Sequence, residues 1–380
     1  MIIILKPSID TQSAQYRYTL TALQKLPGIE LEHHRTQGAH DVIHEIYLIG
    51  NTEHISKDNI EALPGVARVV QISTQYQILG RAPRDNREYE FKYNGVTFSQ
   101  NNLTIFAGLC AVDTIENVEA MMKGLHANGL NCTRMGAYKP RTSPYAFQGL
   151  GKSCLPYVFE KAGKYGIKVI AMEVTHARHI EEIFEYLHKT GNPTGVMLQI
   201  GTRNAQNFEL LREVGSQKTF PVLFKRGYGI TLAESLHAAE YLAHAGNHNI
   251  IFCLRGVKSL FGPPHRNMVD FAHVPVIKRL TKMPVCIDPS HSVGSLEQTP
   301  EGLSDIFHAT AQGIISGANM VLVDFHPQPP TAVVDSRQAI PISDLAWFLE
   351  DIHIVRKAFE QRAALAQKRL LKQGKVCFQP

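Results

Sequence analysis

The chain has 380 residues, 44% hydrophobic and 19% charged, and its 39 basic and 34 acidic side chains give a net charge of +5. This composition excludes a largely disordered protein, and the length allows two or three domains. The small net charge, with no basic block carrying interleaved aromatic residues, argues against a nucleic-acid partner.

The start of the chain and its cysteines indicate the compartment. The first ten residues, MIIILKPSID, lack the basic region of a secretory signal, and no apolar run reaches the roughly 18 residues that span a membrane. The six cysteines are widely spaced and form no CxxC pair, so a disulfide framework is not expected. We therefore expect a cytoplasmic protein with reduced thiols and no membrane partner.

Residues 1–80 are predicted to form a separate small domain. Three short apolar runs predict strands, and two stretches with helical periodicity lie between them. The resulting order, β-α-β-α-β, is typical of a small α/β sandwich of the ferredoxin type. In chain order these segments are Ile2–Leu5, Tyr16–Leu26, Glu45–Ile49, Ile60–Leu63 and Val66–Ile72.

Residues 81–100 are predicted to be a linker followed by a hairpin. The segment RAPRDNRE at 81–88 is polar and rich in residues that favour turns. The segment EYEFKYNGVTFS then alternates between apolar and polar residues around Asn94-Gly95, which is a strong signal for a two-residue hairpin turn.

Residues 101–350 repeat one pattern eight times. Short apolar runs begin 25 to 38 residues apart, with amphipathic helical stretches such as Ile115–Ala127 and Ala233–Ala245 between them. Unbroken apolar runs are typical of buried parallel strands, and eight such βα units predict a (β/α)₈ TIM barrel. An open doubly wound sheet is the alternative, but the chain has no G-x-G-x-x-G turn. Residues 351–380 are predicted to form a C-terminal helical tail. The eight predicted strands are Leu103–Gly108, Leu130–Met135, Lys168–Met172, Val196–Ile200, Pro221–Phe224, Asn249–Cys253, Pro284–Ile287 and Asn319–Val323.

Each of the eight strand ends carries or precedes a polar or ionisable residue. Any one of these is most simply a solvated loop charge or a core residue, but the carboxyl ends of barrel strands meet at one face. We therefore expect a single pocket. In strand order its residues are Cys110; Arg134, Lys139 and Arg141; Glu173; Arg203; Lys225; Arg255; His291; and Asp324 with Asp335.

These residues divide into two chemical groups. A thiolate, an imidazole and two carboxylates suit a divalent ion such as Mn²⁺, Fe²⁺, Co²⁺ or Zn²⁺, whereas Mg²⁺ alone is not expected on such donors. His326 and His176 also lie near strand ends and compete for the same role. The cations suit phosphate or carboxylate groups, so we expect one or two phosphorylated substrates. Glu173 either balances a lysine or moves a proton.

Several segments together resemble the class I 3-deoxy-D-arabino-heptulosonate 7-phosphate (DAHP) synthases, in the branch with an N-terminal ferredoxin-like domain. The resemblance covers residues 103–345 and, more loosely, the N-terminal unit. The KPRTSPY…FQG run also separates this family from the related 3-deoxy-octulosonate 8-phosphate synthases. The segments are GAYKPRTSPYAFQGLG (136–151), QIGTRNAQNFELL (199–211), LFKRG (223–227), CLRG (253–256), RNMVDF (266–271), DPSHSVG (288–294) and HPQP (326–329).

The resemblance implies an enzyme that condenses phosphoenolpyruvate with erythrose 4-phosphate, the first step of the shikimate pathway. It implies that Glu173 stands beside the phosphoenolpyruvate site and that the N-terminal unit responds to an aromatic amino acid. The expected catalytic residues are Lys139, Glu173, His291 and Cys110. We also expect a homo-oligomer, either a dimer or a tetramer. The implied phosphoenolpyruvate-binding cations are Arg134, Lys139, Arg203, Lys225 and Arg255. The implied erythrose 4-phosphate loop is Lys139, Pro140, Arg141 and Thr142, with Ser143 next to it. The implied metal ligands are Cys110, His291, Asp324 and Asp335.

Three residues depart from the family's usual pattern. Leu109 replaces a proline before the cysteine, Met135 replaces a glycine, and Asp324 replaces a glutamate that would be one methylene longer. These departures leave two alternatives open. One is a related synthase that condenses phosphoenolpyruvate with another aldose phosphate, and the other is a non-catalytic ligand-binding paralogue.

Overall fold

The computed structural model describes residues 1–7, 9–37, 42–50, 52, 55–70, 76–81, 89–191 and 194–373. The chain divides into two compact units, Met1–Ala82 and Pro83–Pro380. Residues 71–72 of a predicted strand, 82–88 of the predicted linker and 374–380 of the predicted tail lie outside the described residues. Across the described residues, no helix is both long enough and apolar enough to cross a membrane.

The first unit is a four-stranded antiparallel sheet with two helices, which confirms the ferredoxin-type prediction. The strand order in space is β2-β3-β1-β4, and Ile3, Leu5 and Ile46 lie in its core. The sequence interpretation was wrong to omit β2, whose sequence IELEHHRTQ carries polar residues on both faces and therefore lacks the apolar signal of a strand. The elements are β1 (Ile2–Leu5), α1 (Ala14–Gln24), β2 (Ile29–Gln37), β3 (Val42–Gly50), α2 (Lys57–Glu61) and β4 (Val66–Val70).

The second unit begins with the predicted hairpin, formed by β5 (Glu90–Tyr93) and β6 (Val96–Ser99). Asn94 and Gly95 both have positive φ, 47° and 80°, as a tight two-residue turn requires. The Tyr93 hydroxyl accepts a hydrogen bond from the backbone N–H of Val196, at the start of a barrel strand. The hairpin therefore closes the amino-terminal end of the barrel and leaves the carboxyl end for a site.

The eight predicted apolar runs form eight parallel strands that close into a barrel, because the last strand pairs with the first at Val321–Ile105 and its neighbours. The prediction of a TIM barrel is confirmed. Five strands run further than predicted at their carboxyl ends, and in three of them the extension places Glu173, Lys225 and Asp324 on strands rather than in loops. The strands are β7 (Thr104–Leu109), β8 (Cys132–Met135), β9 (Val169–Val174), β10 (Gly195–Ile200), β11 (Val222–Lys225), β12 (Ile250–Leu254), β13 (Val285–Ile287) and β14 (Met320–His326).

Helices follow the strands and cover the outside of the barrel. A two-residue strand, β15 (Ile340–Pro341), pairs with the end of β14. The last helix begins at Leu345, so residue 350 lies inside it rather than at its start. The helices are α3 (Ile115–Ala127), α4 (Leu155–Lys164), α5 (Arg178–Thr190), α6 (Phe208–Ser216), α7 (Leu232–His244), α8 (Val274–Leu280), α9 (Pro289–Val293), α10 (Asp305–Ile315) and α11 (Leu345–Lys372).

Candidate active site

A cavity of about 320 Å³ opens at the carboxyl end of the barrel strands. Its wall contains Glu173, His291 and Asp335 together with most of the predicted substrate-binding residues. Among the described residues, six cations contribute to this wall, five of them predicted and one, Arg266, not. The six are Lys139, Arg141, Arg203, Lys225, Arg255 and Arg266, and the predicted Pro140, Thr142 and Ser143 also line the cavity.

The four predicted metal ligands lie together beside this cavity. Cys110, His291, Asp324 and Asp335 each offer one donor atom, and these atoms all lie within 4.8 Å of one another. The Cys110 Sγ is 3.6 Å from His291 Nε2 and 3.2 Å from Asp335 Oδ2. A soft sulfur, an imidazole nitrogen and carboxylate oxygens at such spacing fit a divalent transition-metal ion.

Asp288, at the N-cap of α9, sets the orientation of His291. It accepts hydrogen bonds from the His291 backbone N–H at 3.0 Å and from Nδ1 at 3.1 Å, so Nε2 faces the cluster. Asp288 also forms a buried ion pair with Lys225. Burial would lower the pKa of His291, but the carboxylates of Asp288 and Asp324 raise it to about 10. The carboxylates around His291 thus favour positive charge on this imidazole.

Arg134 and Asp324 form a buried ion pair beneath the cavity. The Arg134 guanidinium is 3% exposed and bonds to Asp324 Oδ1. Gln338 donates to the other carboxylate oxygen of Asp324 at 2.6 Å. Burial would lower the pKa of Arg134, but Asp324 and Cys110 raise it, so this guanidinium stays charged. The structure therefore places Arg134 behind the cavity wall, next to the metal cluster.

Lys139 links the metal cluster to Glu173. Its Nζ lies 3.3 Å from Cys110 Sγ and 3.9 Å from Glu173 Oε2. Burial would lower the pKa of Lys139, but Cys110 and Glu173 raise it, so the ammonium stays protonated. Gln199 donates to Glu173 Oε2 at 3.2 Å, and a Cβ at Gly201 would lie 1.8 Å from Oε1. The Glu173 carboxylate is thus held tightly against its neighbours.

Arg255 and Arg203 offer guanidinium groups to an anionic ligand, whereas Lys225 of the same wall is paired with Asp288. Arg255 is 6% exposed, and its buried Nε has no hydrogen-bond partner within the described part of the chain. Burial lowers its pKa, and the opposing effect of Asp288 is smaller. Arg203 donates to Thr142 across the cavity at 3.4 Å. Such guanidinium groups suit a phosphate or a carboxylate.

The two competing histidines lie elsewhere. The His326 Nε2 bonds to Asp113 at 2.8 Å, and its Nδ1 accepts from the Gln328 backbone. His176 Nδ1 accepts from the Arg178 backbone N–H, close to the start of α5. Neither histidine belongs to the four-residue cluster.

Three residues of the site were not predicted: Asp288, Arg266 and Gln338. Arg266 donates to Asp335 Oδ1 and to Gln338 Oε1, both at 3.0 Å, and so holds the Asp335 carboxylate. Asp288 stands before Pro-Ser-His at the start of a short helix, and this N-cap pattern is a signal that could have identified it. Gln338 lies in a single 3-10 turn, Ser336–Gln338, and Arg266 lies in a loop, at the start of the RNMVDF segment.

Comparison with known proteins gives consistent matches. The profile of the DAHP synthetase I family matches residues 86–360, and that of the DAHP synthase ferredoxin-like domain matches residues 1–74. A phospho-2-dehydro-3-deoxyheptonate aldolase from Thermotoga maritima is 33% identical over 94% of this chain and 97% of its own length. A 2-dehydro-3-deoxyphosphooctonate aldolase from Magnetococcus marinus is 24% identical over 69% of this chain and 91% of its own.

Solved structures agree. The crystal structure of a Thermotoga maritima phospho-2-dehydro-3-deoxyheptonate aldolase (DAHP synthase) has a TM-score of 0.69 at 30% identity, covering 95% of this chain and 97% of that one. A truncated form of the 3-deoxy-D-arabino-heptulosonate 7-phosphate synthase from the same organism has a TM-score of 0.64 at 30% identity, covering 75% of this chain and 97% of that one.

Proposed function

The chain belongs to the DAHP synthetase I family, and we propose that it condenses phosphoenolpyruvate with erythrose 4-phosphate to give DAHP and phosphate. This is the first step of the shikimate pathway. The observation that carries the proposal is a cation-lined cavity directly beside a cluster of thiol, imidazole and carboxylate groups. One part of such a site suits two phosphorylated substrates, and the other suits the metal that the reaction uses.

Phosphoenolpyruvate binds in the inner part of the cavity, against its buried cations. Lys225 and Arg255 are almost fully buried, and Arg203 stands on the loop after β10. Because these buried cations have little contact with water, they can form strong charge-assisted hydrogen bonds with a phosphate or a carboxylate. Arg134, which the resemblance implies as a fifth binding cation, lies behind the wall and is paired with Asp324.

Erythrose 4-phosphate occupies the outer cavity, against the loop that follows β8. Pro140, Arg141, Thr142 and Ser143 line this side, and Thr142 is tied to Arg203. The Arg141 guanidinium and the Thr142 hydroxyl bind the phosphate, while Lys139 at the start of the loop reaches inward. The two substrates are thus held with their reacting carbons adjacent, which lowers the entropic cost of the reaction.

A metal ion would be held by Cys110, His291 and Asp335, with Asp324 beside them. Mn²⁺, Fe²⁺, Co²⁺ and Zn²⁺ all suit these donors. When bound, the ion acts as a Lewis acid that polarises the aldehyde of erythrose 4-phosphate.

Lys139 stabilises developing charge during the condensation, and Glu173 accepts a proton. Phosphoenolpyruvate C3 attacks the aldehyde carbon, water adds at C2, and phosphate leaves from the hemiketal as its C–O bond breaks. The Lys139 ammonium stabilises the oxyanion that develops on the aldehyde oxygen. The Glu173 carboxylate, 3.9 Å from Lys139, accepts the proton of the water that adds at C2.

The N-terminal unit is proposed to bind an aromatic amino acid that inhibits the enzyme, and the chain is proposed to work as a dimer or a tetramer. The match of residues 1–74 to the DAHP synthase ferredoxin-like domain supports a dedicated accessory role for this unit.

Product analysis tests the proposed function. The purified protein is treated with a chelator and incubated with phosphoenolpyruvate and erythrose 4-phosphate, with and without added Mn²⁺. We expect DAHP and inorganic phosphate in equal amounts, and only with the metal. A parallel incubation with arabinose 5-phosphate checks the aldose. A faster reaction with that sugar would contradict the assignment, as would full activity without a metal.

A further inference from the structure

We propose that Asp324 serves as the counter-ion of Arg134 and does not bind the metal, so that Cys110, His291 and Asp335 are the only protein ligands. The inference rests on the proposed function, since it concerns the metal of that same site. It is carried by the positions of the four donor groups and by the hydrogen bonds that each of them makes.

Three donor atoms form a compact triangle. The Cys110 Sγ, His291 Nε2 and Asp335 Oδ2 are separated by 3.2, 3.6 and 3.7 Å. Ligands placed tetrahedrally at usual metal–nitrogen and metal–sulfur distances lie about 3.3 to 3.8 Å apart. These three atoms can therefore bind one ion with little movement.

Asp324 lies within 4.8 Å of the other donors but contacts the other ring nitrogen of His291. Its Oδ2 is 3.8 Å from His291 Nδ1, the nitrogen that bonds to Asp288 and faces away from the triangle. Both of its carboxylate oxygens are already engaged, one by Arg134 and the other by the Gln338 amide at 2.6 Å. To bind the ion, Asp324 would have to give up one of these partners.

Giving up Arg134 would be costly. This guanidinium and the Asp324 carboxylate are 3% and 1% exposed, and a buried charge that loses its partner destabilises a protein strongly. Arg134 also contacts Cys110, whose Sγ lies 3.7 Å from Nη2. Asp324 therefore neutralises Arg134 and keeps that charge from opposing the metal.

A shell of three protein ligands has a functional consequence. Catalytic metal sites commonly combine three protein ligands with an open position, whereas structural sites are closed by four. His291 and Asp335, two of the three proposed ligands, line the wall of the cavity. A metal held by these residues would therefore be accessible to a substrate oxygen in the cavity.

Cobalt binding tests this assignment independently of turnover. Metal-free protein is titrated with Co²⁺ alone, and binding is followed by the thiolate-to-cobalt absorption band. We expect Asp335→Asn to weaken binding by more than about 100-fold, beyond the usual effect of losing a group outside the ligand shell. Asp324→Asn alone should weaken it by about 10- to 100-fold, because it leaves the Arg134 charge uncompensated.

The double variant Arg134→Met with Asp324→Asn separates the two views. If Asp324 is only a counter-ion, removing both charges restores the Co²⁺ affinity to within about threefold of the unchanged protein. The effects of the two substitutions on Co²⁺ affinity would then be strongly non-additive. If the double variant binds as weakly as Asp324→Asn, Asp324 is a ligand and the assignment is overturned. Circular dichroism checks that each variant is folded.

A crystal structure of the unchanged protein with Co²⁺ decides the matter even if the double variant does not fold. We expect both Asp324 oxygens to lie more than about 3 Å from the ion, well beyond the metal–oxygen bond length. An oxygen at bonding distance would overturn the assignment while leaving the proposed function intact. Failure of the unchanged protein to bind Co²⁺ at all would overturn the proposed metal centre and this assignment together.

Discussion

Cys110 differs from the other described cysteines by its surroundings. Its Sγ has Lys139, His291 and Asp335 within 3.6 Å, whereas Cys154 is buried in a helical turn and donates to the Gly151 carbonyl. Replacing a thiolate with a hydroxyl removes the softest donor of the cluster. We predict that Cys110→Ser lowers metal content after purification and lowers kcat in proportion.

Cys154→Ser is the matched control for this prediction. It makes the same atomic change in another buried thiol, and should keep metal and kcat near those of the unchanged protein. Metal content is measured by elemental analysis and kcat by phosphate release. Full activity of metal-free Cys110→Ser would show that the thiol is not a ligand.

His326 provides a second prediction at the residue scale. Since its Nε2 bonds to Asp113 rather than facing the cluster, His326→Ala should leave the Co²⁺ affinity almost unchanged. It should lower the free energy of unfolding by about 1–3 kcal/mol, because Asp113 loses its partner in a buried setting. Denaturant unfolding and Co²⁺ titration measure the two effects. Loss of the metal with unchanged stability would place His326 in the ligand shell.

The sequence predicted which kinds of side chain gather at the strand ends, but not which way each one faces. Barrel topology brings Cys110 and His291 together whatever the details of the loops. The partner of Arg134 depends on the rotamers of two buried side chains, and no sequence pattern specifies these. Gln338 was missed for the same reason, since it acts by bonding to another group of the site.

Among the elements, the barrel strands were predictable because a strand buried on both faces is apolar at nearly every position. The ends of the strands were less predictable. The strand β14 continues past the apolar run Asn319–Val323 to His326, because its polar end is buried within the site. The strand β2 was missed because its polar residues match neither the strand nor the helix pattern. In the structure β2 is held in the sheet by its pairing with β3 over nine residues, and this pairing leaves no apolar pattern in the sequence.

The loop after β10 supports a prediction about Glu173. A Cβ on Gly201 would lie 1.8 Å from Glu173 Oε1, so Gly201→Ala must push that carboxylate away from its position near Lys139. We predict that kcat falls at least about 10-fold, the lower part of what a misplaced catalytic group costs. The Co²⁺ affinity should change little, because Glu173 lies outside the cluster.

Gly229→Ala is the matched control, because a Cβ there meets nothing within 4 Å and the backbone does not have positive φ. Its kcat and KM should match those of the unchanged protein. Steady-state kinetics with both substrates measure each variant. Unchanged kcat in Gly201→Ala would mean that the Glu173 position does not matter for the reaction.

At the scale of the whole molecule, each of the two units has its own hydrophobic core. One cluster of buried side chains, including Ile3, Leu23 and Val69, lies entirely within the first unit. Another, including Phe98 and Leu322, joins the hairpin to the barrel strands of the second. A unit with a complete core can fold without its neighbour. The hairpin must stay with the barrel, because its phenylalanines belong to the barrel's core.

Removal of residues 1–82 is therefore predicted to leave a folded and active barrel. The truncated chain, 83–380, keeps the hairpin, all four residues of the metal cluster and the whole cavity wall, so kcat should stay close to that of the full chain. If the N-terminal unit binds an inhibitor, the full chain should be inhibited by Tyr or Phe and the truncated chain should not. Circular dichroism, thermal unfolding and inhibition curves for both chains measure these properties. A truncated chain that is folded and still inhibited would place the effector site on the barrel, and one that fails to fold would make the N-terminal unit structural.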